Sequence, residues 1–185
     1  YLINKQKQNL KSNKFKYINF NWQDDFSNID QKTSIIIANE FFDCLPIRQF
    51  KKDNNQWYEK VINFNKKKNI FFYQYLLVND KKISKRLIKH NEYDIVELSE
   101  YRESYFRKIC HFIAKSCGLI IVIDYGYYKL LNNFTLQSVF NHQYSNLFDN
   151  LGKQDITSFV DFKIFINIAK ECNLNVDTFC SQKEF

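Results

Sequence analysis

The chain has 185 residues and carries 27 lysines and arginines against 20 aspartates and glutamates, a formal charge of +7. That length suits one domain with a core of its own, and a composition of 45% hydrophobic and 25% charged residues excludes a disordered chain. Five cysteines without a CxxC pair exclude a disulfide framework and a zinc knuckle, while the longest apolar run, residues 118–123, is strand-sized and excludes an inserted membrane span.

Residues 1–10 place Leu2, Ile3 and Leu10 among Gln, Lys and Asn, as at the end of an amphipathic helix, and residues 14–20 alternate like a strand. The chain opens on Tyr1 and contains no methionine, which reads as a fragment or a truncated gene. Residues 33–38 (TSIIIA) are a β-branched run suited to a strand buried on both faces of a parallel sheet. Three apolar stretches, at 47–50, 57–64 and 70–78, are separated by KKDNNQ and NKKKN, which read as hairpin turns of an antiparallel insertion. Residues 94–98 form one more short strand. A helix follows from Ser99, with Tyr101, Tyr105, Phe106, Ile109, Phe112 and Ile113 at three- and four-residue spacing and Gly118 as its stop. Residues 119–123 are the second central strand, and residues 127–155 a long loop. Residues 155–172 read as an N-capped helix, and 173–185 as the start of a further strand.

Strands alternating with helices, two of them apolar and ending in polar clusters, describe an open α/β sheet. Ligands bind such sheets outside the carboxyl ends of the strands. Asn39, Glu40 and Asp43 follow the first central strand: an amide can hold a ligand's polar atoms, and a carboxylate can anchor a cation or accept a proton. The same residues also suit a helix start, with Asn39 or Asp43 as cap. Asp124, Tyr125 and Gly126 follow the second strand and equally suit a plain turn. His142, with Gly152, Asp155, Thr157 and Asp161, makes a third cluster, in which Asp155 also suits a helix cap. Cys44, between Phe42 and Leu45, reads as a small buried side chain, and reduced, mostly buried thiols are expected of the others. The three histidines have no mutual spacing that suggests a metal site. The lysines are scattered among Asn and Gln, which reads as a solvated basic surface and not as a nucleic-acid site. A soluble, intracellular protein is expected.

Four segments in order carry a family resemblance. IIIANEFFDCLPIRQF resembles the ANE[FL][FL]DALP[VI]xxF signature of MidA-type methyltransferases, a family that includes mitochondrial complex I assembly-factor methyltransferases. VELSEY resembles a second family segment, GLIIVIDYGYY resembles an aliphatic strand ending in IDYGY, and TLQSVFNHQYSNLFDNLGKQDITSFVDF resembles the TLxxYxxH…PGxxDITxxVDF stretch. Cys44 stands where the family has Ala, and Leu151-Gly152 where it has Pro-Gly.

The resemblance implies a class I (Rossmann-like) methyltransferase sheet over residues 1–185, with an inserted antiparallel, substrate-facing region at about 47–98. The first strand, its glycine-rich turn and the ribose-holding acidic residue would lie upstream of Tyr1. It implies S-adenosylmethionine as cofactor and a protein partner as substrate: an arginine of a complex I subunit, methylated during assembly. Glu40 and Asp43 take the catalytic role, Asn39 the cofactor side, and Glu97, Asp124, Tyr125, His142 and Asp155 the substrate side. The compartment it implies is a bacterial cytoplasm or, alternatively, the mitochondrial matrix. The competing reading is an inactive remnant or protein-interaction module without the cofactor site.

Overall fold

The computed structural model describes residues 2–10, 17–23, 28–30 and 32–185. The chain divides into two compact units, residues 1–32 and 33–185. In the first, α1 (Leu2–Asn9) buries none of its side chains, and the indole N–H of Trp22 donates to the Gln6 side-chain oxygen at 2.9 Å. The strand expected over 14–20 lies partly outside the described residues, and its described part, from Tyr17 to Phe20, is not a strand.

The second unit contains four sheets, two of them small. In the first, β1 (Ile35–Asn39) pairs in parallel with the later strand β6 (Leu119–Ile123), Ile35 opposite Leu119 through Asn39 opposite Ile123. The expected parallel pair is therefore present, but it is not buried on both faces. Ala38 is buried, whereas Ile35 and Ile37, on the opposite side of the pleat, are 69% and 66% exposed. A continuous apolar run is ordinarily the mark of a strand covered on both faces; here Ile35 and Ile37 lie on an open one.

The second sheet is antiparallel and four-stranded, with the strands at residues 70–77, 56–65, 48–53 and 95–98 side by side in that order. β2 (Arg48–Asp53) and β3 (Gln56–Asn65) meet at a tight turn in which Asn54 and Asn55 both have positive φ, a conformation asparagine tolerates well. β3 pairs with β4 (Ile70–Leu77) on its other side, and β2 with β5 (Ile95–Leu98). Between β4 and β5 lies α2 (Lys81–Ile88), which the sequence reading passed over. Its signals are Asp80, whose carboxylate accepts from the Lys82 and Ile83 amides, and the buried pair Ile83 and Leu87 one turn apart. Both pack with Phe50, Val96 and Leu98 into a core under the sheet.

α3 (Glu100–Ser116) begins at Ser99, which caps it by accepting from the Arg102 amide. Its end differs from expectation: the left-handed residue is Cys117, φ 52°, and Gly118 is needed for another reason. A Cβ on Gly118 would stand 2.3 Å from the Ser34 carbonyl oxygen, so glycine lets β6 start beside the approach to β1. The long loop after β6 is largely structured. β7 (Gly126–Tyr127) pairs in parallel with β11 (Val160–Asp161), and β8 (Gln137–Phe140) lies between β9 (Gln143–Ser145) and β10 (Asp155–Thr157). Asp155 thus sits in a strand, and the final helix, α4 (Phe162–Glu171), is shorter than expected. Its cap is Asp161, whose carboxylate accepts from the Ile164 amide. Residues 173–185 form no strand.

An aromatic core joins the loop after β1 to these two helices. Phe106 of α3 stacks on Phe165 of α4 with centroids 4.2 Å apart, and Phe42 meets both edge-on. Cys110 and Cys172 are buried, but Cys44, Cys117 and Cys180 are exposed. The thiols are therefore not mostly buried. The Cys44 side chain sits on the loop surface, with its Sγ donating to the Phe41 carbonyl.

Candidate active site at the carboxyl rim of the parallel pair

Where β1 ends, the chain turns sharply. The Glu40 amide still bonds the Ile123 carbonyl at 2.8 Å, continuing the ladder, while Glu40 itself has φ 46°. A left-handed conformation costs a non-glycine residue about 1–2 kcal/mol, and such strain is retained where the surroundings enforce it. The enforcement is visible: Phe42, 0% exposed, is held in the aromatic core two residues later. No helix starts here, so Asn39 and Asp43 are not caps. Asn39 and Glu40 are exposed on the rim, and Asp43 is buried beside them.

Asp124 ties the two strand ends together. Its Oδ2 accepts from the Phe42 amide at 2.9 Å and the Asp43 amide at 3.2 Å, and its Oδ1 from the Tyr125 amide at 2.9 Å. This carboxylate holds the turn after β1 in shape. Tyr125, 58% exposed, leaves its ring on the rim. Asp155 acts electrostatically on Asp43, and next to its strand the Ser158 amide donates to the Asp43 carbonyl.

The rim is acidic, and its other carboxylates act on Asp43. Burial pushes the Asp43 carboxyl above the usual range, and the charges of Asp124, Asp155 and Glu40 push it further, against a hydrogen bond from the Cys44 amide. Burial also raises Asp124, countered by its three amide bonds and the Arg102 charge.

Beneath the rim lies Arg102, a residue the sequence reading missed. Its Nη2 reaches the Asp43 carbonyl at 2.7 Å, the Leu45 and Ser158 carbonyls at 3.2 Å and the Ser158 hydroxyl at 2.6 Å, and its Nη1 reaches the Phe159 carbonyl at 2.8 Å. One buried cation thus binds the loop after β1 to the segment before β11. A signal was present: Arg102 shares the helical spacing of Phe106, Ile109 and Ile113, so it is a cation on the apolar stripe of α3.

Two expected site residues lie elsewhere in the network. Glu97 is buried and occupied: its Oε1 accepts from Gln49 Nε2 at 2.6 Å and from the Thr135 amide at 3.0 Å, and its Oε2 from the Thr135 hydroxyl. The Thr135 hydroxyl in turn accepts from the Phe159 amide. Glu97 therefore supports the 134–159 segment from inside. His142 stands in the tight turn between β8 and β9, where it and Asn141 both have positive φ. Among the described residues no hydrogen bond or ion pair joins it to the Asn39–Asp124 cluster.

A parallel strand pair flanked by helices is the arrangement of an α/β protein, a class in which ligands bind outside the carboxyl ends of the strands. The comparisons agree with that class and specify it. A family model described as "Putative S-adenosyl-L-methionine-dependent methyltransferase" matches residues 1–180, and the chain belongs to this family. It is similar to the mitochondrial protein arginine methyltransferase NDUFAF7 homolog of Caenorhabditis elegans, 26% identical over 157 residues, which cover 83% of this chain and 37% of that protein. The human mitochondrial protein arginine methyltransferase NDUFAF7 is 25% identical over 154 residues, covering 83% of this chain and 34% of its own length. The chain thus spans about a third of the length of these curated relatives. A Burkholderia thailandensis protein crystallised with S-adenosyl-homocysteine shares the fold, with a TM-score of 0.68 at 20% identity over 82% of this chain and 40% of that one.

Proposed function

We propose that this chain forms the acceptor-side wall of an S-adenosylmethionine-dependent protein arginine methyltransferase. The observation that carries the reading is the acidic rim: Glu40 exposed at the end of β1, with Glu40, Asp124 and Asp155 each within electrostatic reach of Asp43. A guanidinium is the protein side chain such a rim suits best, because it stays charged and its planar fork matches a carboxylate through two hydrogen bonds. The relatives' names supply the same substrate independently.

The cofactor would lie against one side of this rim. Asn39, exposed at the strand end, would hold polar atoms of the cofactor, which when bound supplies an electrophilic methyl group. Glu40 or Asp43 would pair with the acceptor guanidinium, holding its nitrogen in line and taking the proton it releases; orientation of this kind supplies much of the acceleration in group transfer. Tyr125 and Asp155 would border the acceptor. Asp124 and Arg102 would position the loop, and Glu97 would act through Thr135. The antiparallel sheet of residues 48–98 would face the partner. A respiratory complex I subunit is the candidate partner, and the matrix is the candidate compartment; the curated relatives, named as mitochondrial, support a mitochondrial location over a bacterial cytoplasm.

The test supplies tritiated S-adenosylmethionine and a complex I subunit to the full protein, followed by amino-acid analysis of the labelled product. Label in methylarginine, reduced about a hundredfold or more by Asp43→Asn or Glu40→Gln in a protein of unchanged circular dichroism, is the expected result. Label in another residue type, or full turnover by both variants, refutes the assignment.

A further inference from the structure

The antiparallel sheet ends on an open edge of unusual composition. β4 reads IFFYQYLL, eight residues with no charge, no proline and no glycine, and every one is exposed except the half-buried Tyr73. Natural edge strands are normally protected by a charge, a proline, a bulge or a cover; β4 has none of the first three, and among the described residues no strand pairs with its outer side. Its register with β3 is unbroken, from Tyr58 opposite Leu77 to Asn65 opposite Ile70. Because the Val78 amide donates inward to the Trp57 carbonyl, the alternation turns the amides of Phe71, Tyr73, Tyr75 and Leu77 outward. The edge therefore offers four regularly spaced amides and the matching carbonyls to an incoming extended backbone.

The charge around the edge selects the occupant. At one end, the β3–β4 turn carries Lys66, Lys67 and Lys68; at the other stands Lys81, and all four are exposed. Among the described residues none of the four has an ion-pair partner. The nearby acid, Asp80, is engaged in capping α2. A second copy of the chain pairing antiparallel to β4 would set each lysine turn against the partner's Lys81, a like-charge contact that disfavours self-association.

We infer that β4 is a docking edge for an extended segment of a partner protein, apolar at alternate positions and acidic at both ends, bound by strand addition. Main-chain hydrogen bonds would provide the affinity and the flanking lysines the selectivity. The inference rests on the reading of the chain as acting on a protein partner, and it assigns where that partner is held.

Binding is measured by fluorescence anisotropy on the full chain, without cofactor, so that docking and methyl transfer are read separately. The probe is a fluorescein-labelled peptide with an alternating valine–threonine core and two glutamates at each end; the comparison peptide has lysines at the ends. Tyr75→Pro removes one outward amide and leaves the bonds to β3, whereas Tyr75→Ala keeps the amide and removes the ring. The acidic peptide is expected to bind about tenfold or more tightly than the basic one, with Tyr75→Pro losing about tenfold and Tyr75→Ala retaining most of the affinity. Equal binding of the two peptides, or of Tyr75→Pro and the unchanged chain, overturns the inference. So does a chain that sediments as a dimer broken by Tyr75→Pro, since the edge would then be taken by a second copy. Docking without methylation would remove the proposed activity and leave the docking edge; methylarginine formation without docking would do the reverse.

Discussion

Arg102→Met tests the argument that one buried cation assembles the rim. Methionine keeps most of the side chain's apolar stem and removes the guanidinium, leaving the carbonyls of Leu45, Ser158 and Phe159 and the Ser158 hydroxyl without that donor; the Asp43 carbonyl keeps the Ser158 amide. Burial already disfavours the charge, lowering the Arg102 pKa, so part of what the bonds contribute is offset in the native protein. Each buried acceptor left without its donor costs about 1–3 kcal/mol, and with the burial cost of the charge relieved a net loss of about 3–5 kcal/mol follows, a large share of a total stability of about 5–15 kcal/mol. At about 2–4 °C per kcal/mol for a domain of this size, the melting temperature should fall by about 6–20 °C. Arg102→Lys should recover only part of this, because an ammonium cannot span from Phe159 to Leu45 as the fork does. The assay is thermal unfolding followed by circular dichroism at neutral pH. If Arg102→Met melts within about 2 °C of the unchanged protein, the guanidinium contributes too little to hold the two segments together and the reasoning fails.

Asp124→Asn keeps the shape of the side chain but leaves one carbonyl oxygen for three amides and turns an NH2 toward a donor, costing about 1–3 kcal/mol; hydrogen exchange should quicken at Phe42, Asp43 and Tyr125 and stay unchanged in β3. Asp43 has a pKa raised in the folded protein, by burial first and then by Asp124. Its folded form therefore binds a proton more readily than the unfolded chain, and the associated stability is present below the ordinary aspartate range and lost as pH rises through the raised value. Stability should fall with pH over that interval while methyl transfer rises as the carboxylate forms, and Asp43→Asn should flatten the stability slope, which urea titrations at several pH values will show.

The two apolar runs ending in polar residues, the hairpin separators and the spacing along α3 all carried local signals, and each corresponds to an element within a few residues. The placement of these residues at the strand end was also legible, because Asn39 closes β1 and Glu40 and Asp43 come directly after it, and no tertiary contact is needed to put them there. The misplacements have equally local causes. Asp155 and Asp161 both suit a cap, and only the pairing of β10 with β8 assigns Asp155 to a strand and leaves the cap to Asp161. The 127–155 segment lacks a strong alternating pattern, so its hairpin could not be distinguished from a loop.

What the sequence determined by itself is therefore the two central strands, the antiparallel hairpins and α3, with their ends to within a few residues, since periodicity, caps and turn residues act over a few positions. Tertiary structure alone decided what those residues do. It turned Glu97 inward onto Thr135, set Asp124 on the amides of Phe42 and Asp43, placed Arg102 under the Asp43 carbonyl and, among the described residues, left β4 as an open edge. Each of these depends on hydrogen bonds or neighbours dozens of residues apart in the chain, and no local pattern encodes which distant backbone group a side chain will meet.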